Sequence, residues 1–489
     1  MSRTPHPYRP LATVFTLLAC TTAWGASLYP APEYLGDIRR NAQGDIITVP
    51  PPEPKVPPAA APPVAPPPPT AKPAAAPPPV QPRLAKPTAK PSPPQSAIEP
   101  LATGPTDARV LRVGPAQAFS SIAAAAAKAK DGDTVEIDAG DYVGDVAVWN
   151  QNRLTLRGMG GPVKLMAGGK SAQGKAIWVI RGTDVLVENI QFSGAKVRDG
   201  NGAGIRFEAG RLTVKNCTFT HNENGILTAN EAQAELVIEN SEFGYNGAGD
   251  GYSHNLYVGH IKKFTVTGSY FHHAKTGHLL KSRASENLIF YNRLTDETGG
   301  TASYELDLPN GGLAYVVGNI VQQSSTTSNN YLITFGEEGY TGPHNELYLN
   351  HNTLVDDSAN GGFFLRYAPG LQRLLAANNM LVGDGPLDGS LKKRGLDLVQ
   401  SLLADKPALA PSGPAAQIDI SHNVNADWSD FIQASRFDYR PKGGTFSAFK
   451  PRKLDPVNGV SMQLSQIFAQ PVGIRQLILA PQYPGAVQP

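Results

Sequence analysis

The sequence predicts an all-β chain wound as a parallel β-helix, a solenoid with one turn of chain per repeat. Three observations carry that expectation. First, short segments alternate apolar and polar residues, as in "LVENIQF" (186–192), "TVKNCTF" (213–219), "VIENSEF" (237–243), "TVTGSYF" (265–271) and "IFYNRL" (289–294). "VVGNIV" (316–321), "YLNHNTL" (348–354) and "LAANNML" (375–381) continue the series. Side chains two apart on a strand share a face, so this alternation fits strands with one buried side. Second, an asparagine recurs within the segments, at Asn189, Asn216, Asn240, Asn292, Asn319, Asn352 and Asn379, mostly about 24 to 28 residues apart with Gly268 filling one slot. At a corner, Asn adopts a left-handed backbone at low cost, and stacked copies can bond amide to amide. Third, the leucine template of the repeat family with a similar period is missing.

Composition bounds the rest. The chain has 489 residues, 49 of them Gly and 44 Pro, and a formal net charge of +2. So small a charge, with no basic helix or Arg-rich run, argues against a nucleic-acid partner. Arg3 and Arg9 precede an uncharged, mostly apolar run from Leu11 to Ala26, so residues 1–26 read as an export signal. Such a run is shorter than the roughly 20 residues that span a bilayer. "LLAC" (17–20) resembles a bacterial lipobox, leaving two alternatives: lipidation of Cys20, or ordinary cleavage near "AWGA" (23–26). The expected location is the periplasm, the outer membrane through that anchor, or the cell exterior.

Residues 27–105 follow as a linker. Prolines crowd residues 50–105, and proline lacks the amide donor that helices and sheets need, so an extended, disordered spacer is expected. The folded part then opens with a short capping helix over Ile122 to Lys130, and "DGD" (131–133) turns it into the strand "TVEI". The β-helix is placed at 106–385, with the last coil and a capping tail at 386–489, since a solenoid must cover its open end. The chain is expected to be a monomer. Besides Cys20 the only cysteine is Cys217, which falls at an apolar repeat position and reads as a small buried hydrophobe. "HH" (272–273) reads as a solvated corner, and the glycosylation acceptor "NCT" (216–218) falls in a core repeat.

A second strand follows each corner: "GIRFEA" (204–209), "GILTAN" (225–230), "HNLYVGH" (254–260), "HLLKSR" (278–283), "SYELDL" (303–308) and "FFLRYA" (363–368). His254 and His278 are 24 apart, and Tyr257, Lys281 and Glu305 are also spaced by 24. Residues one period apart lie on adjacent rungs about 4.8 Å apart. Arg283 then joins Lys281 on one face and Asp307 joins Glu305. The expected patch is His254, Tyr257, His278, Lys281, Arg283, Glu305 and Asp307, extended along the axis by Arg206 and Arg366.

The opening "AAAAKAKDGDTVEIDAGDY", the "LTLRGMGG" after it and the Asn-cornered coils resemble the pectate-lyase-like superfamily of right-handed parallel β-helices over roughly residues 109 to 385. The resemblance implies a right-handed helix and extracellular or periplasmic polysaccharide chemistry. "LLKS…N" is similar to the Lys-Ser stretch of the alginate-lyase and chondroitin-lyase branch, which implies that Lys281 is a base. The branch's later arginine is unmatched, since Glu305 and Asp307 stand there, and Arg283 is the substitute.

Elimination across a uronic acid needs a cation on the carboxylate, a base for the proton beside it and an acid for the leaving oxygen. The expected roles are Lys281 as base, Arg283 as carboxylate clamp and Tyr257 or His278 as acid. His254, Glu305, Asp307, Arg206 and Arg366 would hold an anionic polysaccharide. A carboxylate one rung from Lys281 raises its pKa, and a calcium ion on Glu305 and Asp307 would relieve that, with Glu337, Glu338 or Asp250 helping. Three alternatives stay open. One is a non-catalytic polysaccharide-holding module. Another is an inverting hydrolase using Glu305 and Asp307. The third is a solvated ladder of ion pairs, each worth about 0–1 kcal/mol.

Overall fold

The computed structural model describes residues 38–40, 46–48, 109–327, 329–358, 361–388 and 415–488. The signal segment, Cys20 and nearly all of the proline-rich linker lie outside these residues. Within the expected linker, Ile38–Arg40 and Ile46–Thr48 pair as antiparallel strands.

From Val110 onward the chain forms the right-handed parallel β-helix. Each coil contributes one strand to a nine-stranded parallel sheet and two strands to a larger, bent sheet of 21 strands. The helix at the start spans Ile122–Ala126, capped by the Ser121 hydroxyl, which accepts from the Ala124 amide. It ends four residues before the expected Lys130.

Alternation decides which side chains fill the coil. In Glu286–Phe290, Asn287 and Ile289 point inward while Leu288 and Phe290 point out. Stacking identical positions builds columns through the core. Phe192, Phe219, Phe243 and Phe271 lie ring on ring, with centroids 4.9, 4.8 and 4.8 Å apart. A fully buried Phe contributes about 1.5–3 kcal/mol, and stacking adds about 0.5–1.5 kcal/mol per pair.

The asparagines divide into two columns where the sequence reading had one. Asn189, Asn216 and Asn240 take positive φ at the corner itself, as do Gly268, Tyr291, Gly318, His351 and Asn378. Asn292, Asn319, Asn352 and Asn379 sit one residue later and point inward. Asn292 Nδ2 donates to Asn319 Oδ1 at 3.0 Å, Asn319 to Asn352 at 3.1 Å, and Asn352 to Asn379 at 3.0 Å. In earlier coils Ser241 and Ser269 fill the same inward slot; their hydroxyls accept from the amides of Cys217 and Ser241. Cys217 is buried as expected, and burial pushes its thiol up to about 12.

The C-terminal residues add a coil through Gln417–Ser421 and Val424–Ala426. The tail beyond was expected to cap the end, but it runs back along the outside of the wall. Leu454, Met462, Leu464 and Ile467 cover Tyr291, Tyr315 and Tyr348. Phe431, Tyr439 and Phe446 cover Val355, Met380 and Val382. The outward rows of these coils are apolar, so they need a cover along their length as well as at the end.

Candidate functional site

The nine-stranded sheet carries one continuous outward column. Its register runs Arg206, Leu227, Tyr257, Lys281, Asp307, Thr334 and Arg366, each opposite the next. Five of the expected site residues therefore stand in a single file. At about 4.8 Å per strand the file is about 29 Å long.

The middle of the file is a closed network of charges. Lys281 Nζ lies 2.9 Å from Asp307 Oδ2 and 2.8 Å from Glu338 Oε1. The other Glu338 oxygen lies 2.6 Å from Arg283 Nη2. Arg283 Nε donates to the Tyr257 hydroxyl at 3.0 Å, and its Nη1 donates to Asn310 Oδ1. Thr334 Oγ1 donates to the second Asp307 oxygen at 2.6 Å. At the end of the file Arg366 pairs with Glu337 at 2.5 Å and lies over the Tyr331 ring.

Two histidines back the file. The His254 and His278 rings stack with centroids 4.5 Å apart, and Tyr304 follows His278 at 5.0 Å. His254 Nδ1 accepts the His278 amide at 2.9 Å. Gly277 allows this approach, because a Cβ there would come within 1.9 Å of the Ser253 carbonyl oxygen. His278 Nε2 lies 3.4 Å from Asp307 Oδ2, while its buried Nδ1 has no partner among the described residues.

The ionisation states follow from burial and neighbours. Burial opposes the charge on Lys281, but Asp307 and Glu338 outweigh it and hold the lysine above its ordinary value. Burial likewise works against Glu338, and the bonds from Lys281 and Arg283 overcome it, keeping this carboxylate ionised. Burial, then the nearby Lys281 and Arg283, push His278 well below its ordinary value. Burial and His278 do the same to His254. With Asp307 and Glu338 in place Lys281 is held as a cation, which counts against the expected role of base.

The second correction concerns Glu305. The longer corner of residues 296–305 shifts the register, so Lys281 faces Asp307, 26 residues on, where a spacing of 24 had placed Glu305. Glu305 turns into the interior, fully buried, and neither carboxylate oxygen has a partner among the described residues. Burial first, then Asp296, raises its pKa well above the ordinary value. Glu305 and Asp307 therefore share neither a face nor a calcium ion, and they do not form a hydrolase pair. The suggested helpers are also engaged: Glu337 and Glu338 hold arginine and lysine, and Asp250 accepts the Tyr252 and Ser253 amides. Among the described residues, no three His, Cys, Asp or Glu side chains group to hold a metal.

Arg206 stands apart. It lines a hollow of about 270 Å³ with Gln173, Lys175, Asp199 and Asn201, and no ion pair holds it among the described residues. His272, expected in solvent, is buried against Tyr270 with its Nε2 3.2 Å from Glu242. Sequence reasoning missed Thr334, Asn310, Tyr304 and Tyr331. In "YLITF" (331–335) Thr334 is the polar residue between the core residues Ile333 and Phe335, a local signal that could have revealed it as outward.

A family model described as a right-handed β-helix region matches residues 170–294. Among solved structures, a pectate lyase aligns at 12% identity and a TM-score of 0.47, covering 79% of this chain and 97% of that one. The A-module of a mannuronan C-5 epimerase from Azotobacter vinelandii aligns at 12% identity and a TM-score of 0.35, over 62% of this chain and 92% of that one. A PL6-family polysaccharide lyase from Pseudopedobacter saltans aligns at 13% identity and a TM-score of 0.31, over 76% of this chain and all of that one. No curated protein matches the chain. Likenesses this distant concern the fold alone, and the fold is the right-handed parallel β-helix that the sequence resemblance implied.

Proposed function

We propose that this protein binds a uronate-bearing polysaccharide along the nine-stranded face, with Lys281 and Arg283 receiving the carboxylate of one sugar. A single observation carries the reading: these two cations already hold one carboxylate between them, at 2.8 and 2.6 Å, in the position of Glu338. Paired, charge-assisted bonds of this kind are what orients a carboxylate. Arg206 and Arg366 lie in the same file and suit further anionic units.

The same arrangement suits β-elimination. The cations would neutralise the uronate and acidify the adjacent carbon. That carbon–hydrogen bond and the glycosidic carbon–oxygen bond break, a carbon–carbon double bond forms, and the proton passes to the departing oxygen. Tyr257 would move it, which its position next to Lys281 in the file and the 3.0 Å bond from Arg283 to its hydroxyl support. Lys281, as a held cation, supports the carboxylate.

The test is turnover of a panel of uronate polysaccharides by the purified protein, followed by the near-ultraviolet absorbance of the unsaturated product. A rise that Tyr257→Phe abolishes, with binding kept, supports the lyase. New reducing ends without absorbance point to a hydrolase. Binding without either product leaves a polysaccharide-holding solenoid.

A further inference from the structure

We infer that Glu338 is an internal stand-in for the ligand's carboxylate, and that it makes the cleft select polymeric uronates over single ones. The inference rests on the polysaccharide reading above and adds to it the way the site is closed and opened.

Glu338 meets the cations as a ligand would, one oxygen to Lys281 Nζ at 2.8 Å and the other to Arg283 Nη2 at 2.6 Å. It comes from the solvent side. The Lys281 and Arg283 side chains are 9% and 14% exposed, whereas that of Glu338 is 46% exposed. Its loop turns at Gly336 and Gly339, with φ of 79° and 92°. The Glu338 amide donates to the Pro309 carbonyl at 2.9 Å, and Asn310 Nδ2 donates to the Gly339 carbonyl at 2.8 Å. Glu337, on the same loop, closes Arg366 at 2.5 Å. Two adjacent carboxylates on one loop thus cover three cations of the face.

The cations do not depend on this cover. If Glu338 leaves, Lys281 keeps Asp307 at 2.9 Å, and Arg283 keeps Tyr257 and Asn310. Lys281 thus keeps an anionic partner and Arg283 keeps two neutral hydrogen-bond partners, so exchange costs less than breaking an isolated buried pair.

Exchange favours polymers. A tethered carboxylate is present at an effective concentration of about millimolar or above, against which a single free carboxylate competes poorly. A chain with several anionic units gains from simultaneous contacts along the file. Arg206, which no ion pair holds among the described residues, offers such a chain its first hold.

Calorimetry on the full chain tests this with galacturonate as the single uronate, and polygalacturonate and alginate as polymers. The variants are Glu338→Gln, Glu338→Ala and Lys281→Met, each checked for an unchanged circular dichroism spectrum. The wild type should bind a polymer and no monomer. Both Glu338 variants should bind that polymer about tenfold tighter or more and gain measurable monomer binding, as loss of a competing charge-assisted bond implies. Unchanged or weaker polymer binding by both Glu338 variants overturns the stand-in, and if Lys281→Met then abolishes binding, the polysaccharide reading survives without it. Failure of every polymer to bind wild type and variants alike overturns both.

Discussion

Lys281 and Asp307 face each other across adjacent coils, with 2.9 Å between Nζ and Oδ2 and with 9% and 3% of their side chains exposed. Removing one partner of a buried pair costs about 3–5 kcal/mol, because the other charge stays buried. Glu338 shares Lys281, so Asp307→Asn should fall toward the lower end of that range. Lys281→Met combined with Asp307→Asn should cost less than Asp307→Asn alone. Urea unfolding of the three variants checks the order, and a double variant less stable than either single one contradicts it.

The buried acids predict an unusual pH dependence. Burial pushes Asp296 up to about 7 from an ordinary 3.8, and raises Glu305 in the same direction. A carboxyl whose folded value is raised contributes stability fully below its unfolded value, and that contribution is lost as pH rises through the folded value. For Asp296 the window runs from about 4 to about 7, at up to about 1.4 kcal/mol per pH unit. Glu305→Gln keeps the neutral shape, so its melting temperature should decline less between pH 5 and 8. An equally steep decline in the variant excludes Glu305 from the effect.

The asparagine ladder predicts a graded series. Asn319 Oδ1 accepts from both the amide and Nδ2 of Asn292, and its own Nδ2 donates to the Ile289 carbonyl and to Asn352. Asn319→Ala orphans several buried groups at about 1–3 kcal/mol each, so a loss of about 3 kcal/mol or more is expected. Asn319→Ser should recover part of it, since Ser241 and Ser269 serve the same slot in earlier coils. Chemical denaturation of both variants measures the difference. Equal losses argue that volume, not hydrogen bonding, sets the cost.

Arg283 predicts a geometric requirement. It addresses Tyr257, Asn310 and Glu338 at once through a planar fork. Lysine keeps the charge but cannot reproduce three directions. Arg283→Lys should therefore weaken polyuronate binding about tenfold while leaving its salt dependence similar. Binding retained in full reduces Arg283 to a point charge.

Much of this was legible in the sequence because a β-helix repeats its own parity. Tyr257, Lys281, Arg206 and Arg366 fell on one face, since alternation within strands survives even when loops vary. What loops do was not legible. Two extra residues in the corner before Leu306 moved Glu305 inside and set Asp307 against Lys281. Glu338 reaches Lys281 across 57 residues of sequence, outside any period, so no repeat spacing points to it. The corner asparagines misled by one residue: "NN" at 378–379 contains both the left-handed position and the inward amide, and only backbone geometry separates them.

The central claim is that Lys281 and Arg283 recognise a carboxylate on a polymer. The most direct measurement compares binding of a uronate polysaccharide with binding of the same polymer after its carboxyl groups have been reduced to alcohols. The wild type should bind the uronate form, bind the reduced form at least about a hundredfold more weakly, as loss of two charge-assisted bonds implies, and lose the preference in Arg283→Met. Equal binding of the two polymers would contradict the account.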